Sequence, residues 1–317
     1  MSKIAFIFPG QGAQKTGMGK DFYEQSQRAA EIYDAASKRL KEEMEIDIRT
    51  LCFDENDKLD QTAYTQAALV TTCLAMARTL EEKGVRADVT AGLSLGEYCA
   101  IAVAGGMSDL DAVWAVRKRG VLMEEAVPTG VGAMAAVLGL SAEQIEKVTE
   151  EKSREWTVAN YNCPGQVVIT GETGQCGCGK RKANWECGAK RVLPLNVSGP
   201  FHSPMLKEAG EKLSEVLDQI HFHELELPYV TNVTAEPITD ICKTKELLKE
   251  QVAASVRWQQ SMERMIEDGV DTFIEIGPGK TLAGFLKKIN RTVTVMNISC
   301  IEDVDKVASA VNLCGEL

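Results

Sequence analysis

The sequence predicts an α/β fold: a body built on a parallel sheet, interrupted by a smaller α+β domain. Short apolar runs that do not alternate, at 4–8, 87–91, 271–276 and 293–298, are separated by helical stretches at both ends of the chain. Strands buried on both faces have that pattern. Between 128 and 198 the texture changes to closely spaced strands. The body is therefore expected to be discontinuous, 1–127 and 199–317, with 128–198 inserted. A Gly-Leu-Ser-Leu-Gly sequence at 92–96 stands where the second apolar run gives way to a small-residue helix.

In chain order, the first strand, 4–8, runs into Pro9-Gly10-Gln11-Gly12. This glycine-rich loop suits either a tight turn or a backbone that curls around an anion or a carbonyl. It lacks G-x-G-x-x-G spacing and no Gly-Lys-Ser/Thr follows, so dinucleotide and P-loop readings have little support. Helical spacing of apolar residues at 21–43 and 65–83 predicts helices that cover the sheet. A further helix, 109–126, carries Arg117, Lys118 and Arg119. Such a triplet suits a solvated face, yet one arginine turned inward would make a planar, bidentate partner for a carboxylate. Periodicity does not choose among the three.

Within the insert, strands are expected at 132–139, 157–160, 166–170 and 190–196. A helix at 141–150 has Ser141 as cap and Gln144 three residues on. A second helix belongs between 172 and 188 to complete a ferredoxin-like β-α-β-β-α-β order. There the chain places three glycines among Cys176, Cys178 and Cys187, and each costs a helix about 1 kcal/mol relative to alanine. C-x-C with one later cysteine is not a complete structural zinc pattern, and no metal is expected. After the insert, helices are predicted at 206–220, 247–256 and 281–288.

The glycines beside Ser94 permit close backbone approach, the turn lifts its hydroxyl from the sheet edge, and the following helix N-terminus offers amide donors to an oxyanion. These are the requirements of a nucleophile elbow. Only three histidines occur. His202 lies on a turn between Pro200 and Pro204, where it can serve as the base such a serine needs. His221 and His223 read as surface residues. No catalytic acid is evident in the chain order serine, acid, histidine, so His202 is expected to be oriented by a backbone carbonyl or an amide side chain.

The formal charge is 35 minus 46, or −11, which disfavours nucleic acid as a general partner. No run has the apolar length of a membrane span, and residues 1–9 lead into a strand instead of a signal-peptide core. A cytoplasmic location is expected, with no membrane association. The ten cysteines, scattered from 52 to 314, are expected to be mostly reduced thiols.

Several ordered motifs together resemble the malonyl-CoA:acyl carrier protein transacylases of fatty acid synthesis. They are 8–12, 92–98, Arg119-Gly120 with Met123, 160–168, 197–205, Gln251 with Val256-Arg257-Trp258, and 275–279. The resemblance implies an α/β-hydrolase-like body with an inserted ferredoxin-like domain. It implies Ser94 as nucleophile, His202 as base with its ring held by the Gln251 carbonyl, and the Gln11 and Leu95 amides as oxyanion hole. Arg119 would bind the malonyl carboxylate, and Met123, Asn162 and Phe201 would line the substrate pocket. Malonyl-CoA and holo acyl carrier protein are the implied partners, the latter docking transiently on local basic residues such as Lys190 and Arg191. No cofactor is implied, and the chain is expected to be a monomer.

The chain departs from the family at Leu93, where histidine is frequent, and at 173–188. A polyketide-pathway acyltransferase, a serine thioesterase or esterase, and a non-catalytic carrier-protein binding module are the alternatives.

Overall fold

The computed structural model describes residues 2–127, 130–151, 156–172, 189–195, 197 and 199–315. The first part of the body comprises β1 (Ile4–Phe8), α1 (Lys20–Gln25), α2 (Gln27–Leu40), α3 (Ile48–Phe53) and α4 (Thr62–Glu82), then β2 (Val89–Gly92), α5 (Gly96–Val103) and α6 (Asp109–Ala126). The insert contributes β3 (Gly132–Leu138), α7 (Ala142–Glu151), β4 (Trp156–Cys163), β5 (Gln166–Glu172) and β6 (Arg191–Pro194). The chain returns through a 3₁₀ turn (Pro204–Leu206), α8 (Lys207–Leu217), β7 (Tyr229–Val230), β8 (Pro237–Ile238) and a second 3₁₀ turn (Ile241–Lys243). It ends with α9 (Thr244–Gln251), α10 (Trp258–Glu267), β9 (Thr272–Ile276), α11 (Thr281–Ile289), β10 (Thr294–Ile298) and α12 (Ile301–Gly315).

Six strands form one sheet in the order β10-β9-β1-β2-β7-β8, parallel except at the β7–β8 edge. A separate antiparallel sheet has the order β4-β5-β3-β6. β1 reads as an unbroken apolar run because both its faces are covered. Ile4, Phe6 and Phe8 enter the core shared with α2, α4 and α5, while Ala5 and Ile7 pack toward Trp258, Met262 and Leu286 of α10 and α11. Each such Phe or Ile contributes about 1.5–3 kcal/mol by leaving water. The strand carboxyl ends at Phe8, Gly92 and Val230 point the same way, which gathers their loops along one edge.

The capping box at the start of α7 forms as expected: Ser141 N donates to Gln144 Oε1 at 2.9 Å and Gln144 N donates to Ser141 Oγ at 3.2 Å. The helix expected over 21–43 is instead divided at Ser26, whose backbone is extended and whose side-chain hydroxyl caps α2 by accepting from Ala29 N at 3.2 Å. The helix expected over 206–220 opens with a 3₁₀ turn that Pro204 starts. The helix expected over 247–256 ends at Gln251, and Val256 pairs with Asn160 across to the second sheet. α3, α10 and α12 were not predicted.

The segment 173–188, with its expected helix and three of the cysteines, lies outside the described residues. Among the described residues Cys52, Cys73, Cys99 and Cys163 are buried free thiols, and Cys242 is an exposed one. No helix among them is long and apolar enough to cross a membrane.

Candidate active site

The elbow forms between β2 and α5, and its glycines are dictated by contact distance. A Cβ on Gly92 would stand 1.9 Å from the Gly96 carbonyl carbon, and one on Gly96 would stand 2.3 Å from the Phe8 carbonyl oxygen. Ser94 itself has φ 51°, a left-handed conformation that costs a non-glycine residue about 1–3 kcal/mol unless its surroundings hold it. Asn232, just beyond β7, does so with both ends of its amide. Its Oδ1 accepts from Ser94 N at 2.6 Å and its Nδ2 donates to Gly92 O at 2.7 Å.

Ser94 Oγ lies 2.6 Å from His202 Nε2. On the far side of the ring, Nδ1 faces the carbonyls of Gln251 at 2.9 Å and Ala254 at 3.0 Å. Two acceptors there require the proton on Nδ1, which leaves the Nε2 lone pair for the serine. The orienting group is thus main-chain carbonyl, and a carboxylate is not needed. Burial, reinforced by the nearby Arg119 charge, pushes His202 down to about 4, so the ring is neutral at physiological pH.

Arg119 is buried, 1% exposed. Nη1 donates to Gln66 Oε1 at 2.8 Å, and Nη2 donates to Gln251 Oε1 at 3.2 Å while lying 3.4 Å from Ser94 Oγ. Its Nε has no hydrogen-bond partner among the described residues. Burial lowers its proton affinity, though a guanidinium keeps its charge. Of the basic triplet only Lys118 stays at the surface, paired with Glu43 at 3.1 Å. Arg117 also turns inward, donating to the carbonyls of Ala63 and Glu43 over the Tyr64 ring.

A cleft of about 280 Å³ opens over Ser94 and His202, between the two sheets; its lining includes Gln11, Leu93, Asn162 and Phe201, and Arg119 lies behind Ser94, outside that lining. A larger surface hollow of about 590 Å³ at 34–49 has no histidine in its lining to activate Ser37, and Arg49 there pairs with Asp34 and Asp47. Neither the Gln11 nor the Leu95 main-chain N–H donates a hydrogen bond among the described residues, while the Gln11 side-chain amide donates to Thr62 Oγ1 at 2.9 Å. Asn162 is buried, and its Oδ1 has no partner among the described residues. Met123 does not line the cleft: it is buried, with Sδ 3.5 Å from the Gln66 amide that also holds Arg119.

Sequence reasoning assigned no role to Asn232, Gln66, Glu97 or Ala254. Glu97 lay within a quoted motif. Gln66 and Asn232 carried no signal, because an isolated amide has no periodicity or spacing to mark it.

The acyl transferase domain family model matches residues 5–310. A malonyl CoA-acyl carrier protein transacylase of Bacillus subtilis (strain 168) is 46% identical, over 96% of each chain. The crystal structure of a malonyl CoA-acyl carrier protein transacylase from Clostridium perfringens superposes with a TM-score of 0.92 at 40% identity, covering 99% of this chain and 98% of that one. A malonyl-transacylase solved in complex with its type II PKS acyl-carrier protein superposes with a TM-score of 0.91 at 35% identity, covering 98% and 100%. With nearly its full length matched in sequence and in fold, the chain belongs to the acyl transferase domain family, among the malonyl CoA-acyl carrier protein transacylases.

Proposed function

We propose that this chain moves the malonyl group from malonyl-CoA to the phosphopantetheine thiol of holo acyl carrier protein, by a ping-pong reaction through a malonyl-serine ester. The observation that carries this reading is a single oxygen, Ser94 Oγ, 2.6 Å from an imidazole nitrogen and 3.4 Å from a buried guanidinium. As Oγ bonds to the thioester carbonyl carbon, its proton passes to His202 Nε2. The Gln11 and Leu95 main-chain N–H groups, neither with a partner among the described residues, receive the oxyanion. The tetrahedral intermediate collapses, the C–S bond breaks, and the coenzyme A sulfur leaves with the proton from His202. The carrier thiol then repeats the sequence, giving its proton to His202 and returning Ser94 to its hydroxyl.

Arg119 pairs with the malonyl carboxylate, which stands one methylene from the ester carbonyl and so within reach of Nη2. Asn162 and Phe201 shape the pocket, while Met123 supports Arg119 through Gln66. No cofactor enters this chemistry.

The body reads as α/β-hydrolase-like over 1–127 and 199–317. The order β4-β5-β3-β6 favours a ferredoxin-like insert over 128–198. A cytoplasmic monomer that meets its carrier transiently, by way of exposed Lys190 and Arg191, completes the reading.

The test is intact mass after brief exposure to malonyl-CoA, then addition of a holo carrier protein from fatty acid or polyketide synthesis. A malonyl adduct that requires Ser94 and moves to the carrier supports the transferase, and the preferred carrier identifies the pathway. Loss of the adduct to water without transfer would instead mark a thioesterase.

A further inference from the structure

Glu97 occupies the first turn of α5, three residues after Ser94, and is completely buried. The chemistry above makes no use of it. Its Oε2 accepts two hydrogen bonds, from Asn232 N at 3.2 Å and from Gln251 Nε2 at 2.7 Å. The two donors hold different parts of the site. Asn232 clamps the strained elbow on either side of the nucleophile. Gln251 presents its main-chain carbonyl to His202, donates from Nε2 to Ser94 O at 2.8 Å, and turns Oε1 toward Arg119.

We infer that Glu97 is a positioning residue that sets Ser94, His202 and Arg119 in register by fixing which way the Gln251 amide points. The inference rests on reading Ser94 and His202 as nucleophile and base. An ionised Glu97 accepts and does not donate, as does the Ser94 carbonyl that shares Gln251 Nε2, so the Gln251 –NH₂ faces Glu97 and its carbonyl oxygen faces the guanidinium. The flipped amide would set donor against donor at Arg119 and oxygen against oxygen at Glu97. Burial also makes the contact expensive to lose, because an unmet polar group there costs more than one at the surface. The charged and titratable groups facing Glu97 are Arg119 from α6, Tyr98 from its own helix and Tyr229 from β7. Burial raises Glu97 to about 7 against the pull of Arg119 and its amide donors.

The experiment compares the parent with Glu97→Ala, Glu97→Gln and, as a control in the same helix outside this network, Cys99→Ala. Malonyl-serine formation is followed by quenched intact mass across malonyl-CoA concentrations, with thermal melting in parallel. The expected result for Glu97→Ala is a loss of about 100-fold in the saturating rate, the scale of a small misplacement of reacting groups. Its half-saturating concentration should move less than about threefold. Glu97→Gln keeps an acceptor oxygen and should stay within about tenfold of the parent rate, while Cys99→Ala acylates like the parent whatever its melting temperature.

Glu97→Ala acylating within about threefold of the parent would overturn the inference. So would a rate loss that follows melting temperature across all three variants, or one confined to the half-saturating concentration. If Glu97→Ala does not fold, Glu97→Asp, which withdraws the acceptor by one methylene, carries the same expectation. A fluorophosphonate that labels Ser94 is run beside malonyl-CoA. If the parent takes the label but no malonyl group, the proposed substrate is wrong, and the labelling rates of the variants still decide the role of Glu97.

Discussion

Replacing Arg119 with alanine should erase the preference for malonyl-CoA over acetyl-CoA. In the parent, a substrate carboxylate would meet a guanidinium that is almost fully buried and whose Nε is unspent. Each charge-assisted hydrogen bond to such a group is worth about 1.5–3 kcal/mol. Two of them amount to ~3–6 kcal/mol, which at 1.4 kcal/mol per tenfold is a discrimination of about 10²–10⁴. Acetyl has no carboxylate and leaves the cation unanswered.

The substitution also strands Gln66 Oε1 and Gln251 Oε1, both of which now accept from Arg119, so a fall in melting temperature is expected as well. The ratio of the two acylation rates is insensitive to that loss, because both donors react with the same weakened protein. Quenched intact mass with each thioester, at matched concentrations, gives the ratio directly. It should collapse to within about tenfold in Arg119→Ala. Arg119→Lys, with the charge but no fork, should fall between. A ratio that survives in Arg119→Ala would mean that the carboxylate binds elsewhere and that the geometry around Nη2 has been misread.

Three further outcomes are expected. Because His202 is held down to about 4, single-turnover acylation should persist to about pH 5, below the ordinary imidazole midpoint, and an acid limb at 6.5 would contradict the buried neutral ring. The same depression means that the folded chain binds fewer protons at His202 than the unfolded chain between about 4 and 6.5. Stability from this group is therefore lost as pH falls through that window, as denaturant titrations at several pH values can check. Asn232→Ala removes both clamps on the elbow and should cost about 1–3 kcal/mol of stability together with a large loss of acylation, whereas Asn232→Asp, which can still accept from Ser94 N, should recover part of the rate. Gly92→Ala drives a methyl into the Gly96 carbonyl and should destabilise by about 3 kcal/mol, the upper end of the usual cost of overpacking; a normal melting curve would refute the close approach.

The sheet was legible where burial on both faces leaves an unbroken apolar run, as in β1 and β9, and the elbow was legible because steric contact demands glycine at 92 and 96. α10 was missed although its apolar face is distinct in the fold, since Trp258, Met262 and Met265 are spaced among glutamines and charges. The break at Ser26 depends on a hydroxyl meeting an amide, which helical spacing does not encode. Among site residues, Ser94 and His202 stood out by chemistry and rarity. Arg119 could not be told from Arg117 by pattern, because both face inward and satisfy different partners. Asn232 and Gln66 act through contacts with segments far along the chain, and nothing local announces them.

The pairing of Val256 with β4 bears on how the enzyme can turn over. Val256 N donates to Ala159 O at 2.8 Å and Tyr161 N donates to Val256 O at 2.9 Å. This main-chain stitch joins the second sheet to the segment whose carbonyls hold His202. Opening the cleft by swinging one sheet away from the other would tear the stitch and disturb the base at once. The stitch ties the width of the cleft to the placement of the base, and the cleft of roughly 280 Å³ presents one nucleophile to both thiols. Spent coenzyme A must withdraw before the carrier arm threads in. Each thiol then competes with the other for the same malonyl-serine ester, so raising free coenzyme A should slow the carrier half-reaction, by occupying the entrance and by carrying malonyl back to malonyl-CoA, in a pattern that more carrier relieves.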